Sequence, residues 1–172
     1  FEEVPGITSA IAAPAYGGIP VTHRDCCSSL HIVTGHQRAG KELAIDFEAL
    51  VRTGGTLVFL MGVTSLSAIC AGLVAAGMDP DTPASIVERG TTPMQRRVDA
   101  TAATLAEKAA AERAVAKAEE QMYDLEQQIQ EASADYLKLQ ELYEQREALE
   151  EEILKLYGTW ETLSAQLEEA RG

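Results

Sequence analysis

The chain has 172 residues, of which 46% are hydrophobic, and its formal net charge is −13. A surface this acidic repels phosphate groups, which argues against binding to nucleic acids or to anionic membranes. No run of about 18 apolar residues is present, so we expect no membrane span. The three cysteines, Cys26, Cys27 and Cys70, form no CxxC pair and predict free thiols in a reducing cytoplasm.

Charge and composition change near residue 104. Residues 1–104 carry a net charge of −3 and contain all the prolines, whereas residues 105–172 carry −10. Proline interrupts helices, so its absence from the second part favours long helices there. We therefore predict an α/β domain over 1–104 and a helical domain over 105–172.

The first part predicts strands that alternate with helices. In chain order we expect a strand over 30–34, a helix over 46–51, a strand over 56–61, a helix over 65–76 and strands over 83–88 and 96–100. The continuous apolar run at 56–61 is typical of a strand that is buried on both faces. This alternation predicts an α/β layered fold with a mixed sheet and helices.

The second part predicts an α-helical coiled coil. Its first apolar series is Val115, Ala118, Met122, Leu125, Ile129 and Ala132, and its second is Leu139, Leu142, Leu149, Ile153, Leu156, Trp160, Leu163 and Leu167. The three- and four-residue steps are typical of coiled-coil seams. A polar break at 132–135, where Ser133 or Asp135 can cap a second helix, favours an antiparallel hairpin. A single unbroken helix that dimerises is the alternative.

Three segments of the first part resemble the tetrapyrrole methylase family when taken together. The first segment is residues 4–10 followed by 15–24, with Thr-His-Arg at 22–24. The second is residues 57–62, and the third is residues 88–93 with Gln95. Together with Thr-Gly-His at 34–36, they are most similar to the uroporphyrinogen-III C-methyltransferase branch. The resemblance implies that 1–104 is part of the C-terminal domain of such an enzyme. It also implies S-adenosylmethionine-dependent methyl transfer to uroporphyrinogen III, in siroheme and cobalamin precursor synthesis.

The same resemblance implies that Thr8, Ser9, Met61 and Gly90 contact S-adenosylmethionine. The residue types fit this role, because glycines after strands let a ligand approach the backbone, and a helix that begins near Thr8 can bind a carboxylate or a ribose hydroxyl. Two plainer interpretations remain open. Met61 fits core packing at the end of a strand, and Gly90 fits an ordinary turn.

His23 and Arg24 are candidates for binding the carboxylates of a tetrapyrrole, for which arginine is the suitable partner. His31 lies in a predicted strand and is expected to be structural, and His36 is a further polar candidate. No His, Cys and Asp spacing predicts a metal site. The resemblance implies that the family's proton-transfer residues precede Phe1, so we assign no catalytic residue here. We expect cofactor binding by this chain alone to be weak or absent.

Residues 115–169 are similar to the C-terminal coiled-coil domain of ABC-F ATPases, a family associated with ribosomes. The chain has no Walker A motif, so no ATPase activity is implied. The acidity of the segment favours a protein partner or self-association over RNA.

Two further expectations follow from the abrupt change near residue 104. The chain could be an artificial fusion without activity, and its first part is expected to expose an unpaired sheet edge.

Overall fold

The computed structural model describes residues 1–36, 44–132 and 136–171. They form two compact units, residues 1–106 and residues 107–172. The elements in chain order are α1 (Ser9–Tyr16), β1 (Leu30–Thr34), α2 (Phe47–Thr53), β2 (Thr56–Leu60), α3 (Leu66–Ala75), β3 (Pro83–Glu88), β4 (Arg96–Thr101), α4 (Leu105–Glu131) and α5 (Tyr136–Arg171). Strands and helices alternate through the first unit, which confirms the α/β prediction.

In the first unit β1 and β2 pair in parallel, with Leu30 opposite Thr56 at one end of the ladder. Helix α2 lies between them in the sequence and provides part of the crossover that a parallel pair needs. Asp46 caps this helix, because its carboxylate accepts a hydrogen bond of 2.9 Å from the amide of Ala49. Gly54, with φ 63°, ends it in the left-handed conformation.

Strands β3 and β4 form a separate antiparallel pair, joined by the turn at 89–95, with Pro83 opposite Thr101. The expectation of one mixed sheet is therefore wrong for the described residues, whose strands form two two-stranded sheets. The strands of the first pair are joined by the crossover that contains α2, and those of the second pair by a short turn. Each pair therefore forms its own hydrogen-bonded ladder, without hydrogen bonds to the other pair. Each described strand has one neighbour and one unpaired edge, as expected from the sequence.

The prediction that the apolar run at 56–61 is buried on both faces is also wrong. All five residues of β2 are half-buried, because β1 is its only neighbour among the described strands and few elements cover its faces. The buried core lies instead between α3 and the second sheet. It consists of Cys70, Ala100 and Leu105, with Leu66, Ala84, Ile86 and Ala106 packed around them. Burial raises the pKa of the Cys70 thiol.

In the second unit α4 and α5 are in contact. Their buried cluster consists of Leu125, Ala132 and Leu142. The indole Nε1 of Trp160 donates a hydrogen bond of 3.3 Å to the carboxylate of Glu112, and the hydroxyl of Tyr157 donates to the carboxylate of Glu119. The capping residues predicted at 133 and 135 lie outside the described residues. No helix in the described part of the chain is both long enough and apolar enough to cross a membrane.

Candidate cofactor-binding site

The amino-terminal end of α1 contains Thr8 and Ser9, two of the predicted cofactor contacts. Thr8 is the N-cap residue, with φ −66° and ψ 139°, and its hydroxyl oxygen accepts a hydrogen bond of 3.3 Å from the amide of Ala10. Ser9 is the first helical residue and is exposed. The backbone N–H groups at the start of a helix carry partial positive charge and favour a carboxylate or a hydroxyl oxygen. Thr8 therefore has a structural role at a place that is also suited to ligand binding.

Met61 follows the last residue of β2 and adopts φ 57°, in the left-handed region. A side chain such as methionine is strained there, and strain of this kind is concentrated at functional sites. Its side chain is 66% exposed, so the interpretation of Met61 as a core residue is wrong.

The carboxyl ends of β1 and β2 are held closely together beside Met61. A Cβ atom on Gly35, which follows β1, would lie 2.6 Å from the Cα atom of Gly62. The same added atom would lie 3.1 Å from Cδ1 of Ile69 in α3. Only glycine fits at this contact, so Gly35 and Gly62, which follow the two parallel strands, lie directly against each other. Ligands in open α/β sheets bind at the carboxyl ends of the strands.

Gly90 lies in the turn between β3 and β4, where the backbone is strained on both sides. Arg89 has φ 48° and Thr91 has φ 69°. A Cβ atom on Gly90 would lie 2.7 Å from Cβ of Ala13 in α1. The interpretation of Gly90 as an ordinary turn glycine is therefore too simple, because the absence of a side chain lets this turn pack against α1.

Gln95 connects the same turn to α1. Its Oε1 atom accepts a hydrogen bond of 2.8 Å from the amide of Thr91. Its Nε2 atom donates a hydrogen bond of 3.2 Å to the carbonyl oxygen of Tyr16, at the end of α1. One side chain thus fixes the turn and orients it toward the helix. Gln95 belongs to one of the three segments that resemble the methylase family, but its hydrogen bonds to Thr91 and Tyr16 were not predicted.

Arg97 makes a second connection from β4 to the end of α1. Its guanidinium donates a hydrogen bond to the carbonyl oxygen of Gly17 and pairs with Asp99, where Nε lies 2.8 Å from Oδ1. Ser85 donates a hydrogen bond of 2.8 Å to the same Asp99 oxygen. The hydrogen bond with Asp99 raises the pKa of Arg97. No sequence signal identified Arg97, since its contact lies 80 residues away in the chain.

These contacts bring the turn that contains Gly90 against α1, the helix that begins at Thr8 and Ser9. Ser9 and Ala13 are four residues apart and so share one face of the helix, and Gly90 lies against Ala13. Helix α1 also contacts β2, the strand that Met61 follows. The resulting set is an exposed thioether, a helix start with a hydroxyl, and a glycine turn. It fits a ligand that has a polar amino-acid tail and apolar surface.

His23 and Arg24 lie in a short turn that a bridge between His23 and Cys27 closes. Nδ1 of His23 accepts a hydrogen bond of 3.3 Å from the amide of Asp25, and both candidates are exposed. Sγ of Cys27 lies 2.9 Å from Oγ1 of Thr56, the first residue of β2. The hydrogen bond with Thr56 is the main cause that lowers the pKa of the Cys27 thiol.

The turn at 23–27 therefore contacts the amino end of β2, whereas Met61 follows its carboxyl end. With a rise of about 3.3 Å per residue, the four steps of this strand span roughly 13 Å. The structure thus does not bring the substrate-side candidates together with the cofactor candidates. Nε2 of His31 lies 3.2 Å from Oγ of Ser29, which fits the structural role expected for it. His36 is exposed next to Gly35.

The described residues contain no group of three or more His, Cys, Asp or Glu side chains that could hold a metal ion. The start of α1 itself presents the hydroxyl groups of Thr8 and Ser9 and backbone amides.

Residues 1–106 match the Tetrapyrrole (Corrin/Porphyrin) Methylases, and the chain belongs to this family. Porphyrin biosynthesis protein HemD of Ruminiclostridium josui is 61% identical over 109 residues, which are 63% of this chain and 22% of that protein. The S-adenosyl-L-methionine-dependent uroporphyrinogen III methyltransferase of Methanosarcina barkeri is 50% identical over 107 residues, which are 62% of this chain and 42% of that protein. The chain thus spans less than half the length of these curated relatives.

Solved structures agree with this assignment. Uroporphyrin-III C-methyl transferase from Thermus thermophilus, complexed with S-adenyl homocysteine, is 38% identical with a TM-score of 0.52, over 62% of this chain and 45% of that one. Cobalt precorrin-4 methyltransferase is 24% identical with a TM-score of 0.55, over 62% and 44% of the two chains, and shows a likeness of fold alone. The family match ends at residue 106, so the similarity of 115–169 to ABC-F ATPases stays a prediction.

Proposed function

We propose that the first unit supplies one side of the S-adenosylmethionine site of a methyltransferase that acts on uroporphyrinogen III, for siroheme and cobalamin precursors. The support is the identity of 50% to a relative with that activity in its name. The match covers 42% of the relative, so we assign methyl transfer to a complete domain rather than to these residues alone. The free cysteines favour a reducing compartment, the cytoplasm.

The observation that carries this proposal is the exposed and strained Met61 at the carboxyl end of β2. When bound, S-adenosylmethionine supplies a methyl group on a positively charged sulfur atom. The thioether of Met61 would pack against the apolar part of this cofactor. Backbone amides near Thr8 and Ser9 would bind its polar groups. The backbone of the turn at Gly90, which packs against α1, would contact it as well.

Arg24, with His23, is proposed to bind the carboxylates of the tetrapyrrole. Both side chains are exposed and belong to a short closed turn. A guanidinium forms paired hydrogen bonds with a carboxylate, so Arg24 is suited to this substrate class. Because the turn contacts the amino end of β2, only the outer part of a large substrate can reach it together with the cofactor residues. No residue of this chain is assigned a proton-transfer role.

Met61→Ala tests the cofactor site. The first unit is joined to the amino-terminal part of a methylase domain from a relative, and S-adenosylhomocysteine is titrated in a calorimeter. Burial of an exposed methionine side chain under the ligand contributes about 1.5–3 kcal/mol, so we expect its removal to weaken binding roughly tenfold or more. Met78→Ala is the matched control, because Met78 is a half-buried methionine of the first unit that follows α3 and lies outside both α1 and the turn at 89–95.

An unchanged affinity in the Met61→Ala protein would remove Met61 from the site. Absence of S-adenosylhomocysteine binding in the folded, unsubstituted hybrid would refute the cofactor proposal itself. Equal losses in the Met61 and Met78 variants would indicate a general effect on folding, which circular dichroism of both variants identifies.

A second candidate function is favoured by the contacts in the second unit. Residue numbers rise along α4 where they fall along α5, because Glu112 contacts Trp160 and Glu119 contacts Tyr157. This order supports an antiparallel coiled-coil hairpin, which we propose as an interaction module for a protein partner or for self-association.

A further inference from the structure

Helix α5 presents a line of residues beside its packed seam. Positions 136, 140, 143, 147, 150, 154 and 157 recur in steps of four and three, which places their side chains on one face of the helix. We call this line the outer ridge, and its residues are Tyr136, Gln140, Tyr143, Glu147, Glu150, Leu154 and Tyr157. At 1.5 Å per residue the ridge is about 32 Å long.

The two ends of the outer ridge are apolar and open to solvent. Tyr136 is 79% exposed and Tyr143 is 51% exposed at one end, and Leu154 is 73% exposed at the other. Next to Leu154, Tyr157 is 39% exposed, and its hydroxyl donates a hydrogen bond to Glu119 of α4. The seam residue Leu142, by contrast, is 5% exposed. Large apolar groups that line up on one surface mark an interaction site more often than scattered ones do.

The centre of the outer ridge is acidic. Glu147 and Glu150 lie between the two apolar ends, and both are exposed. Glu150 accepts a hydrogen bond of 2.8 Å from Nε of Arg146, so part of its charge is balanced within the helix. The order along the ridge is therefore apolar, acidic, apolar, in a segment of strongly negative net charge.

We propose that the outer ridge docks an amphipathic helix that has basic residues at its centre and apolar residues at both ends, an inference that rests on the proposed hairpin. Apolar contacts at the ends supply affinity, and the central charges set register and partner choice. A second copy of α5 is a poor occupant, because alignment along the full ridge places the acidic centres opposite each other in either direction. An anionic membrane is repelled by the same charge.

The test uses the full chain and a designed peptide of about 21 residues, with leucines at helical spacing near both ends and lysines at the centre. A shuffled peptide of equal composition is the negative probe. Binding is followed by calorimetry and by the fluorescence of Trp160, the only tryptophan in the chain. The double variant with Tyr143→Gln and Leu154→Gln is expected to bind at least tenfold more weakly, since two apolar contacts are lost.

The matched control is Tyr123→Gln, on α4, where the tyrosine is 63% exposed. We expect it to bind like the unsubstituted chain. Equal binding by the double variant, or equal binding of the shuffled peptide, overturns the proposal in favour of nonspecific charge attraction. If the unsubstituted chain sediments as a dimer and the double variant does not, the outer ridge binds a second copy of the chain and the proposal is overturned. If the chain binds anionic vesicles through the ridge, the partner is a membrane and the proposal is likewise overturned.

Failure of the underlying hairpin has a different signature. If the unsubstituted chain has too little helix by circular dichroism for α4 and α5, the hairpin itself is refuted. If the helices are present and the designed peptide does not bind, only the docking inference is refuted.

Discussion

Substitution of Gly90 with alanine tests the contact between the β3–β4 turn and α1. Gly90 is not among the glycines with positive φ, so the backbone accepts alanine and only space is at issue. The new Cβ would lie 2.7 Å from Cβ of Ala13, whereas carbon atoms in contact are normally about 3.5–4.0 Å apart. One of the two segments must therefore move by roughly 1 Å, and Ala13 is fixed within a helix.

Overpacking of this kind costs about 1–3 kcal/mol, which corresponds to about a 5–150-fold change in an equilibrium constant. We expect the amides of α1 to exchange with deuterium faster by a factor in this range, because the helix loses a close-packed neighbour. Hydrogen exchange followed by mass spectrometry measures this rate in the full chain. Gly6→Ala is the control, because a Cβ at Gly6 meets no atom within 4 Å. Unchanged exchange in α1 of the Gly90→Ala protein would refute the contact.

Two further predictions concern the hairpin and the Cys27 thiol. Leu142→Ala should lower the free energy of unfolding of the second unit by about 2–5 kcal/mol. Leu137→Ala should have little effect, since Leu142 is 5% exposed and Leu137 is 74% exposed; equal urea midpoints in circular dichroism would contradict the buried seam. Thr56→Val removes the hydrogen bond that lowers the pKa of Cys27, so the pH profile of Cys27 alkylation by iodoacetamide should move to higher pH. An unchanged midpoint, read by mass spectrometry, would exclude this hydrogen bond as the cause.

The sequence predicts the local elements of the first unit well where short apolar runs lie between turn residues. The strands expected over 30–34 and 83–88 have those bounds in the structure. The helix expected over 65–76 is shorter, Leu66–Ala75, and Gly77 follows it with φ 95°. Local pattern fixes these elements because their side-chain spacing and their terminating residues act within a few positions of the chain.

Long-range arrangement was predicted less well. The apolar run that forms β2 has the composition of a fully buried strand, but composition does not determine how many neighbours the strand finds. The contacts of Gln95 with Tyr16 and of Arg97 with Gly17 join segments about 80 residues apart. Neither side chain differs in type from an ordinary surface residue, so no local pattern identifies it. The positions of Thr8, Ser9, Met61 and Gly90 came from the family resemblance and not from local spacing.

The left-handed backbone at Met61 has a consequence for how this position evolves. A non-glycine residue in this conformation costs of the order of 1–3 kcal/mol, a cost that is present whether or not a ligand is bound. Mutation toward glycine or asparagine would relieve it, so selection for stability alone drives the position away from methionine. In the cofactor site that we propose, Met61 would be a position where thermodynamic stability is given up in exchange for a ligand contact.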